Sequence, residues 1–379
     1  MYAKLVTNVI SGTGFSANIY YNTLMDVITG VVTSTSSLNS TIFNQGASSI
    51  VSTVAPGWTT VDSSANAVGT SYILSGCAPR VISAPWSDSA GDYKYLWTGA
   101  VHSTNTYNNI YVYPAEGWNS STKVGSNIIA TPTSTSNTYA LWNSFAQYDT
   151  TPNTGLVTIV SASSNHLFVG YSKIGGTAIS NYFYLSEYTR DDPWNTVSNR
   201  YPSWFTLGGT SGNGQTGLNN ALNSLTTYNA NTTYGALTRV LNQITNADIS
   251  YLGMSNSTIN TTTVTNRYVE TYQMLVTYGY FGLGGITYNN TYNGIYSQYV
   301  RDSNKNQSII LAPLKISPFP VHFSYFGAIS GGSIDAKAPY LYCSHGATFN
   351  HLDETTIGSN TYTAIKITSG AGTLLLKQA

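Results

Sequence analysis

Hydrophobic positions near the start of the chain follow a helical period. Four apolar residues recur at i, i+4, i+7 and i+8, which places them on one helix face: Tyr20, Leu24, Val27 and Ile28. Ser16 is a suitable N-cap and Gly30 a suitable stop. The pattern predicts a helix between these two residues, and Leu38 with Ile42 predict the beginning of a second short helix.

From residue 49 onward the pattern changes to short runs of β-branched and aromatic residues between turn residues. This texture is typical of antiparallel β-structure. The runs that predict strands lie at 49–54, 58–61, 72–74, 93–97, 110–113, 156–160, 166–171, 182–185, 340–342, 362–367 and 373–376. The pair at 156–160 and 166–171 predicts a hairpin.

One later segment returns to helical spacing. Leu237, Val240, Leu241 and Ile244 recur at i, i+3, i+4 and i+7. The sequence therefore predicts a helical insertion around 217–248.

The predicted fold class is mainly β with a few short helices, organised in several antiparallel sandwich-like or barrel-like modules. A length of 379 residues favours two or three domains. A Ser/Thr/Asn/Pro stretch at 131–137 is the best linker candidate. We predict an N-terminal β-rich domain with short leading helices (1–130), a central β-rich domain with the helical insertion (131–316) and a small C-terminal β module (317–379). No repeat of fixed period argues for a solenoid or propeller.

The composition is unusual in its low share of charged residues. Asp, Glu, Lys and Arg make up 8% of the chain, against about 25% in a typical soluble protein. The 15 basic and 15 acidic residues cancel, which argues against binding to nucleic acid or to an anionic membrane surface. The chain is nevertheless 41% hydrophobic and holds 31 Tyr. Such a composition suits a protein whose surface is covered by neighbours in an assembly.

The sequence also bears on location. The first residues have no basic segment followed by an apolar one, so we expect no secretion by signal peptide. No window of about 18 apolar residues predicts a membrane span. Cys77 and Cys343 are too few and too distant for a disulfide framework, and we expect both to be buried as small apolar residues.

Metal-type ligands cluster once, at Cys343, His345 and His351 with Asp353 and Glu354. Zinc would need four such ligands in a tetrahedron, usually in close pairs. The spacing favours an ordinary strand followed by a surface turn over a metal site.

The densest charged spot comprises Glu187, Arg190, Asp191 and Asp192, followed by Trp194. It favours a local structural cluster, with Asp side chains bonded to backbone N–H groups and Arg190 paired with Glu187. A calcium site and a carboxylate pair for glycoside hydrolysis are the two functional alternatives.

Residues 212–217 read G-x-G-x-x-G. A dinucleotide site would need a βαβ unit and an acidic residue about 20 positions later, and neither is evident. We interpret the motif as a loop.

Five tryptophans could stack on sugars, although large aromatic residues more often serve as core or interface anchors: Trp86, Trp97, Trp118, Trp142 and Trp204. No nucleophile, phosphate-loop or metalloprotease motif is present. We therefore assign no catalytic, cofactor-binding or metal-ligating residue, expect no cofactor, and predict that the protein is not an enzyme.

Several stretches resemble virion structural proteins of tailed bacteriophages. They lie at 30–32, 50–62, 93–96, 116–119, 125–127, 187–202, 353–358 and 361–364, with the strand before Lys377. The resemblance implies a tail or baseplate component that binds other virion proteins and copies of itself and is assembled in the host cytoplasm.

Two other functions stay open. One is a receptor-binding or capsid-decoration protein that contacts host glycan through aromatic loops. The other, less favoured, is a glycan depolymerase with Glu187 and Asp191 or Asp192 as its carboxylates.

Overall fold

A computed structural model describes fifteen segments of the chain: 1–8, 17–51, 56–63, 80–86, 94–102, 108–126, 155–187, 189–190, 203–209, 235–242, 247–250, 310–316, 336–345, 349–366 and 373–378. These segments contain one α-helix, α1 (Ala17–Ile28), one 3₁₀ helix (Thr35–Ser37) and strands that all pair antiparallel. The prediction of a mainly β, antiparallel protein with few helices is confirmed.

The strands are β1 (Tyr2–Val6), β2 (Ser49–Ile50), β3 (Thr59–Asp62), β4 (Arg80–Ser83), β5 (Tyr95–His102), β6 (Asn108–Ala115), β7 (Gly117–Asn119), β8 (Val124–Ser126), β9 (Leu156–Ser163), β10 (His166–Lys173), β11 (Asn181–Glu187), β12 (Thr189–Arg190), β13 (Ser203–Gly209), β14 (Gly235–Asn242), β15 (Ala247–Ser250), β16 (Ile310–Ile316), β17 (Ala336–His345), β18 (Glu354–Ile357), β19 (Asn360–Lys366) and β20 (Thr373–Lys377). An eight-stranded sheet has the order β15-β14-β13-β11-β10-β9-β1-β2, and we call it the first sheet. The C-terminal sheet has six strands, with β12-β17-β20-β19-β18 in order and β16 on β17. Strands β3-β4-β5-β6 form a third sheet, and β7-β8 form a ribbon.

Helix α1 confirms the first predicted helix and ends as its sequence dictates. Gly30 takes a φ of 76°, a conformation that costs glycine little. The Gly30 N–H then donates to the Val27 carbonyl (3.2 Å) and the Val31 N–H to the Asp26 carbonyl (2.8 Å), the paired bonds of a Schellman motif. Ser16, the predicted cap, lies outside the described residues. The second short helix is wrong, because Leu38 and Ile42 lie in turns, and the nearest helical turn is the 3₁₀ helix that ends before Leu38.

Most predicted strands that fall on described residues are confirmed, including the hairpin of β9 and β10. The predicted runs at 52–54, 72–74 and at residues 93 and 367 lie outside the described residues, as does the linker candidate at 131–137.

The helical insertion around 217–248 is wrong where the structure describes it. Residues 235–242 and 247–250 form β14 and β15. Pairing supplies the physical reason, since Leu237 lies opposite Leu207 of β13 and Val240 opposite Ile249 of β15. Cross-strand partners of this kind override a helical spacing carried by four residues.

The first sheet is buried on both faces at its centre. On one face, Val160 lies between Ala3 and Val169, and Val169 between Val160 and Phe183. This apolar face packs into one core with α1 and with buried residues of the third sheet. The opposite face carries aromatic and hydroxyl side chains instead: Tyr2, Ser161, His166, Phe168, Tyr182 and Tyr184, all buried.

The aromatic face of the first sheet contacts the C-terminal sheet. Thr363 Oγ1 donates to the Tyr2 hydroxyl at 2.7 Å, and the Ile179 N–H donates to the Lys366 carbonyl at 2.7 Å. The predicted domain boundaries stay predictions, and the first sheet includes strands from both sides of residue 131. Among the described helices, none is long and apolar enough to cross a membrane.

Gly155 allows β1 and β9 to approach closely, and it provides a test of this packing. A Cβ at Gly155 would lie 2.7 Å from the Thr7 carbonyl oxygen, which belongs to the backbone and cannot move aside cheaply. We expect Gly155→Ala to lower the free energy of unfolding by about 1–3 kcal/mol in denaturant titrations. Gly46→Ala is the matched control, because its Cβ would meet nothing nearer than 3.5 Å. Equal stability of the two variants would contradict the packing.

Candidate functional site

Charge is nearly missing from the most exposed residues whose side chains the structure describes. Segments 31–51, 59–61 and 119–122 contain no Asp, Glu, Lys or Arg. Their exposed residues are Val31, Thr33, Ser36, Ser37, Ser40, Thr41, Asn44, Gly46, Ala47, Ser49, Val51, Thr59, Thr60, Val61, Asn119, Ser120, Ser121 and Thr122. We call these the uncharged segments. Among the residues whose exposure the structure describes, Glu354 is the one charged residue in the exposed class, and its carboxylate lies 3.8 Å from the Lys4 ammonium.

The uncharged segments also expose apolar side chains. Val31 is 71% exposed, Val51 55% and Val61 42%. An exposed valine by itself is ordinary. Valines set among exposed hydroxyl and amide side chains form a surface that loses little when a neighbour covers it, because no exposed ion has to be desolvated.

Partly exposed and buried charged side chains form ion pairs between elements of the fold. Arg80 Nη1 lies 2.6 Å from Asp26 Oδ1, which connects β4 to α1. Asp62 is buried, and its Oδ2 accepts from Lys123 Nζ at 2.6 Å and from Trp118 Nε1 at 3.1 Å. These pairs hold elements together.

A buried histidine lies where the first sheet meets the C-terminal sheet. His166 Nε2 is 2.9 Å from Ser161 Oγ and its Nδ1 is 2.6 Å from Ser163 Oγ. Ser163 Oγ also donates to Asn165 Oδ1 at 2.6 Å. A hydroxyl has one proton, so Ser163 must accept from Nδ1–H while Ser161 donates to Nε2, which fixes the neutral tautomer.

The protein environment keeps His166 neutral. Burial, with a smaller contribution from the charge of the Met1 amino group, lowers the pKa of His166 to about 3. The Tyr340 ring stacks on the imidazole with centroids 4.2 Å apart. Tyr340 has a φ of 62°, which is costly for a bulky residue, and Lys377 Nζ lies 5.7 Å from its ring centroid. A Ser–His pair can activate a serine nucleophile where substrate reaches it. The His166 imidazole has no exposed surface, which suits it to joining two sheets.

Sequence reasoning missed this cluster, although a signal was present. A two-residue turn between β9 and β10 pairs Ser163 with His166, and strand alternation puts Ser161 on the same face. Serine is so frequent in this chain that two serines close to a histidine do not stand out in the sequence.

The predicted metal-type cluster is dispersed where it is described. His351 is buried, and its Nδ1 accepts from the Lys366 N–H at 3.2 Å. Asp353 Oδ2 accepts from the Asn350 N–H at 2.7 Å, while Glu354 faces Lys4. The side chains of Cys343 and His345 lie outside the described residues, and among described side chains no group of three metal-type ligands forms.

The charged spot at 187–194 is described only in part. The Glu187 N–H donates to the Asn165 carbonyl at 2.9 Å, and Arg190 belongs to β12. Asp191, Asp192 and Trp194 lie outside the described residues, as do the motif at 212–217 and Cys77. The structural cluster, the calcium site and the carboxylate pair therefore stay predictions.

Described tryptophans act as anchors. Trp58 and Trp86 are buried with ring centroids 5.3 Å apart and planes at 84°, an edge-to-face pair. Trp118 is half-buried and bonded to Asp62. The side chains of Trp97, Trp142 and Trp204 lie outside the described residues, so glycan contact through them stays a prediction.

The chain matches no family model, no curated protein and no solved structure. Its function has to be inferred from the chemistry of its surface and the contacts of its interior.

Proposed function

We propose that this protein is a structural subunit of a virion, a tail or baseplate component of a tailed bacteriophage that acts through protein–protein assembly. One observation carries the proposal: among the residues whose exposure is described, the fully exposed ones are mostly Ser, Thr, Asn, Gly and Val, and Glu354 is the one that carries a charge. The partners are other virion proteins and copies of the same chain. The protein is assembled into the particle in the host cytoplasm.

Physical chemistry links this surface to assembly. Symmetric copies bring identical patches together, so a charge near the symmetry axis meets a charge of the same sign. Burying a hydroxyl or amide that finds a hydrogen-bond partner costs little, whereas burying an unpaired ion costs several kcal/mol. A monomeric protein normally gains solubility from surface charge, and this chain gives up that advantage.

The fold that we propose follows the same plan. The C-terminal sheet covers the aromatic face of the first sheet, which supports sandwich-like modules. Contacts through Tyr2, Ile179 and His166 hold the modules together, and they leave the uncharged segments outside.

Assembly through an uncharged surface has a measurable signature. We expect the purified full-length chain to associate in sedimentation velocity as its concentration rises, with a dissociation constant that changes less than about twofold between 50 mM and 500 mM NaCl. Salt screens charge pairs and leaves hydroxyl and apolar contacts largely unaffected. A chain that is monomeric at every concentration would contradict the proposal, and association that dissolves in salt would contradict its mechanism.

A further inference from the structure

Strand β3 is an edge strand with both of its faces open. Successive side chains of a strand point to opposite faces. Thr59 and Thr60 are consecutive, lie in regular register with Ser83 and Ile82, and are both exposed, so neither face is covered there. Val61, which lies at the register shift before Asp62, is exposed as well. Beside it lies β4 on one edge, and among the described strands none lies on the other.

This edge has no charged protection. Natural edge strands are commonly shielded by charged residues, Pro, β-bulges or very short length. Strand β3 has a register shift between Thr60 and Asp62, but its exposed stretch carries no charge. Two other edge strands whose side chains are described follow that rule: β2 has two residues, and β18 carries Glu354. The exposed stretch of β3 offers three β-branched, uncharged residues, the type that favours extended structure.

Buried residues hold both ends of the exposed stretch in place. Trp58 precedes it, packs against Trp86 and donates from Nε1 to the Ser163 carbonyl at 2.9 Å. Asp62 follows a register shift in β3 and is fixed by Lys123 and Trp118. The edge is therefore ordered before any partner arrives, which lowers the entropic cost of pairing.

We propose that β3 is the site where a second copy of this chain adds its own β3, antiparallel, about a two-fold axis. The inference rests on the proposed function and names the surface that would carry it. An antiparallel edge is self-complementary, because a two-fold rotation brings its N–H groups to its own carbonyl groups. The lack of charge in 59–61 lets identical edges meet without repulsion. The register centred on the exposed stretch places Thr60 opposite Thr60 of the second copy.

Disulfide trapping tests that register. In the full-length chain with Cys77→Ser and Cys343→Ser, Thr60→Cys should give a disulfide-linked dimer under mild oxidation, because directly opposed Cβ atoms in antiparallel strands lie about 4.5–5.5 Å apart. Thr41→Cys, equally exposed in another uncharged segment, is the matched control and should give at least fivefold less dimer. Equal trapping of both variants would overturn the proposal.

Charge tests the edge independently. Thr60→Lys would place two ammonium groups face to face, so we expect the dimer dissociation constant to rise about tenfold or more, with no change for Thr41→Lys. If Thr60→Lys associates as the unsubstituted chain does, β3 is not the contact and the proposed assembly function stands on another surface. If the unsubstituted chain stays monomeric in all conditions, both proposals fall. Unchanged thermal unfolding of the monomeric variants would show that the substitutions act on association alone.

Discussion

The free energy of unfolding is expected to fall by about 5 kcal/mol between pH 6.5 and pH 4.5. Two buried histidines cause the loss. Burial lowers the pKa of His166 to about 3 and that of His351 to about 4, where the Lys366 charge contributes as well. The unfolded chain titrates each near 6.5.

The sign follows from proton counting. Above pH 6.5 both histidines are neutral in the folded and the unfolded chain, and the full stability is present. Below pH 6.5 the unfolded chain binds protons that the folded chain excludes, so stability falls by about 1.4 kcal/mol per pH unit for each histidine. The loss continues until the folded pKa values are reached. Because a domain is stable by about 5–15 kcal/mol, a loss of this size leaves it close to unfolding.

Denaturant titrations at half-unit pH intervals, followed by tryptophan fluorescence, would measure this slope. His166→Gln keeps a hydrogen-bonding side chain that cannot ionise, and we expect it to be less stable at pH 7 but to lose about 1.4 kcal/mol per unit less on acidification. A free energy of unfolding that stays constant from pH 6.5 to pH 4.5 would show that the imidazoles are not held neutral.

The position of His166 determines which contact is weakened first when the pH falls. Its ring stacks on Tyr340 of β17, so a proton on the imidazole disturbs the contact between the first sheet and the C-terminal sheet. The cationic group that acts on His166 is the Met1 amino group, and it would repel the new charge. Lys377 Nζ lies on the Tyr340 ring that stacks on the imidazole, 5.7 Å from its centroid. We therefore expect these two sheets to separate first as the pH falls.

Local pattern was a good guide wherever local physics decides. The helix ending at Gly30 depends on a face of four apolar residues and on a residue that takes positive φ cheaply, and both can be read from the sequence. The hairpin of β9 and β10 is likewise encoded by its two apolar runs and the short polar turn between them.

Pairing between strands distant in sequence could not be predicted from the local pattern. Val240 has the spacing of a helix and becomes part of β14 because β13 and β15 flank it, and β13 is about thirty residues earlier in the chain. The aromatic face of the first sheet was equally hidden, because Tyr2 finds Thr363 across 361 residues. The uncharged exposed segments, by contrast, were implied by the composition, because only 8% of the residues are charged.

Truncating Trp58 is expected to be the most damaging single substitution on the apolar side of the molecule. Its side chain is 1% exposed and meets Trp86 edge to face, so Trp58→Ala removes a large buried surface and leaves a cavity. Large-to-small changes of this kind cost about 3–5 kcal/mol. The Ser163 carbonyl also loses the Nε1–H donor at 2.9 Å, which adds about 1 kcal/mol or more.

The consequence reaches beyond stability because of what Trp58 joins. The Ser163 carbonyl accepts a hydrogen bond from Trp58, and the Ser163 hydroxyl is hydrogen-bonded to His166. Ser163 therefore connects the start of β3 to the contact between the first and C-terminal sheets. Denaturant unfolding of three variants separates the contributions. Trp58→Phe keeps the aromatic pair and should lower the free energy of unfolding by about 1–3 kcal/mol. Trp58→Ala should lower it by more than Trp58→Phe does, and by more than about 3 kcal/mol. Thr41→Ala on the exposed surface should stay within about 0.5 kcal/mol of the unsubstituted chain. If Trp58→Ala unfolds like Thr41→Ala, Trp58 is not an anchor, and the ordered edge that β3 presents to a second copy loses one of its two supports.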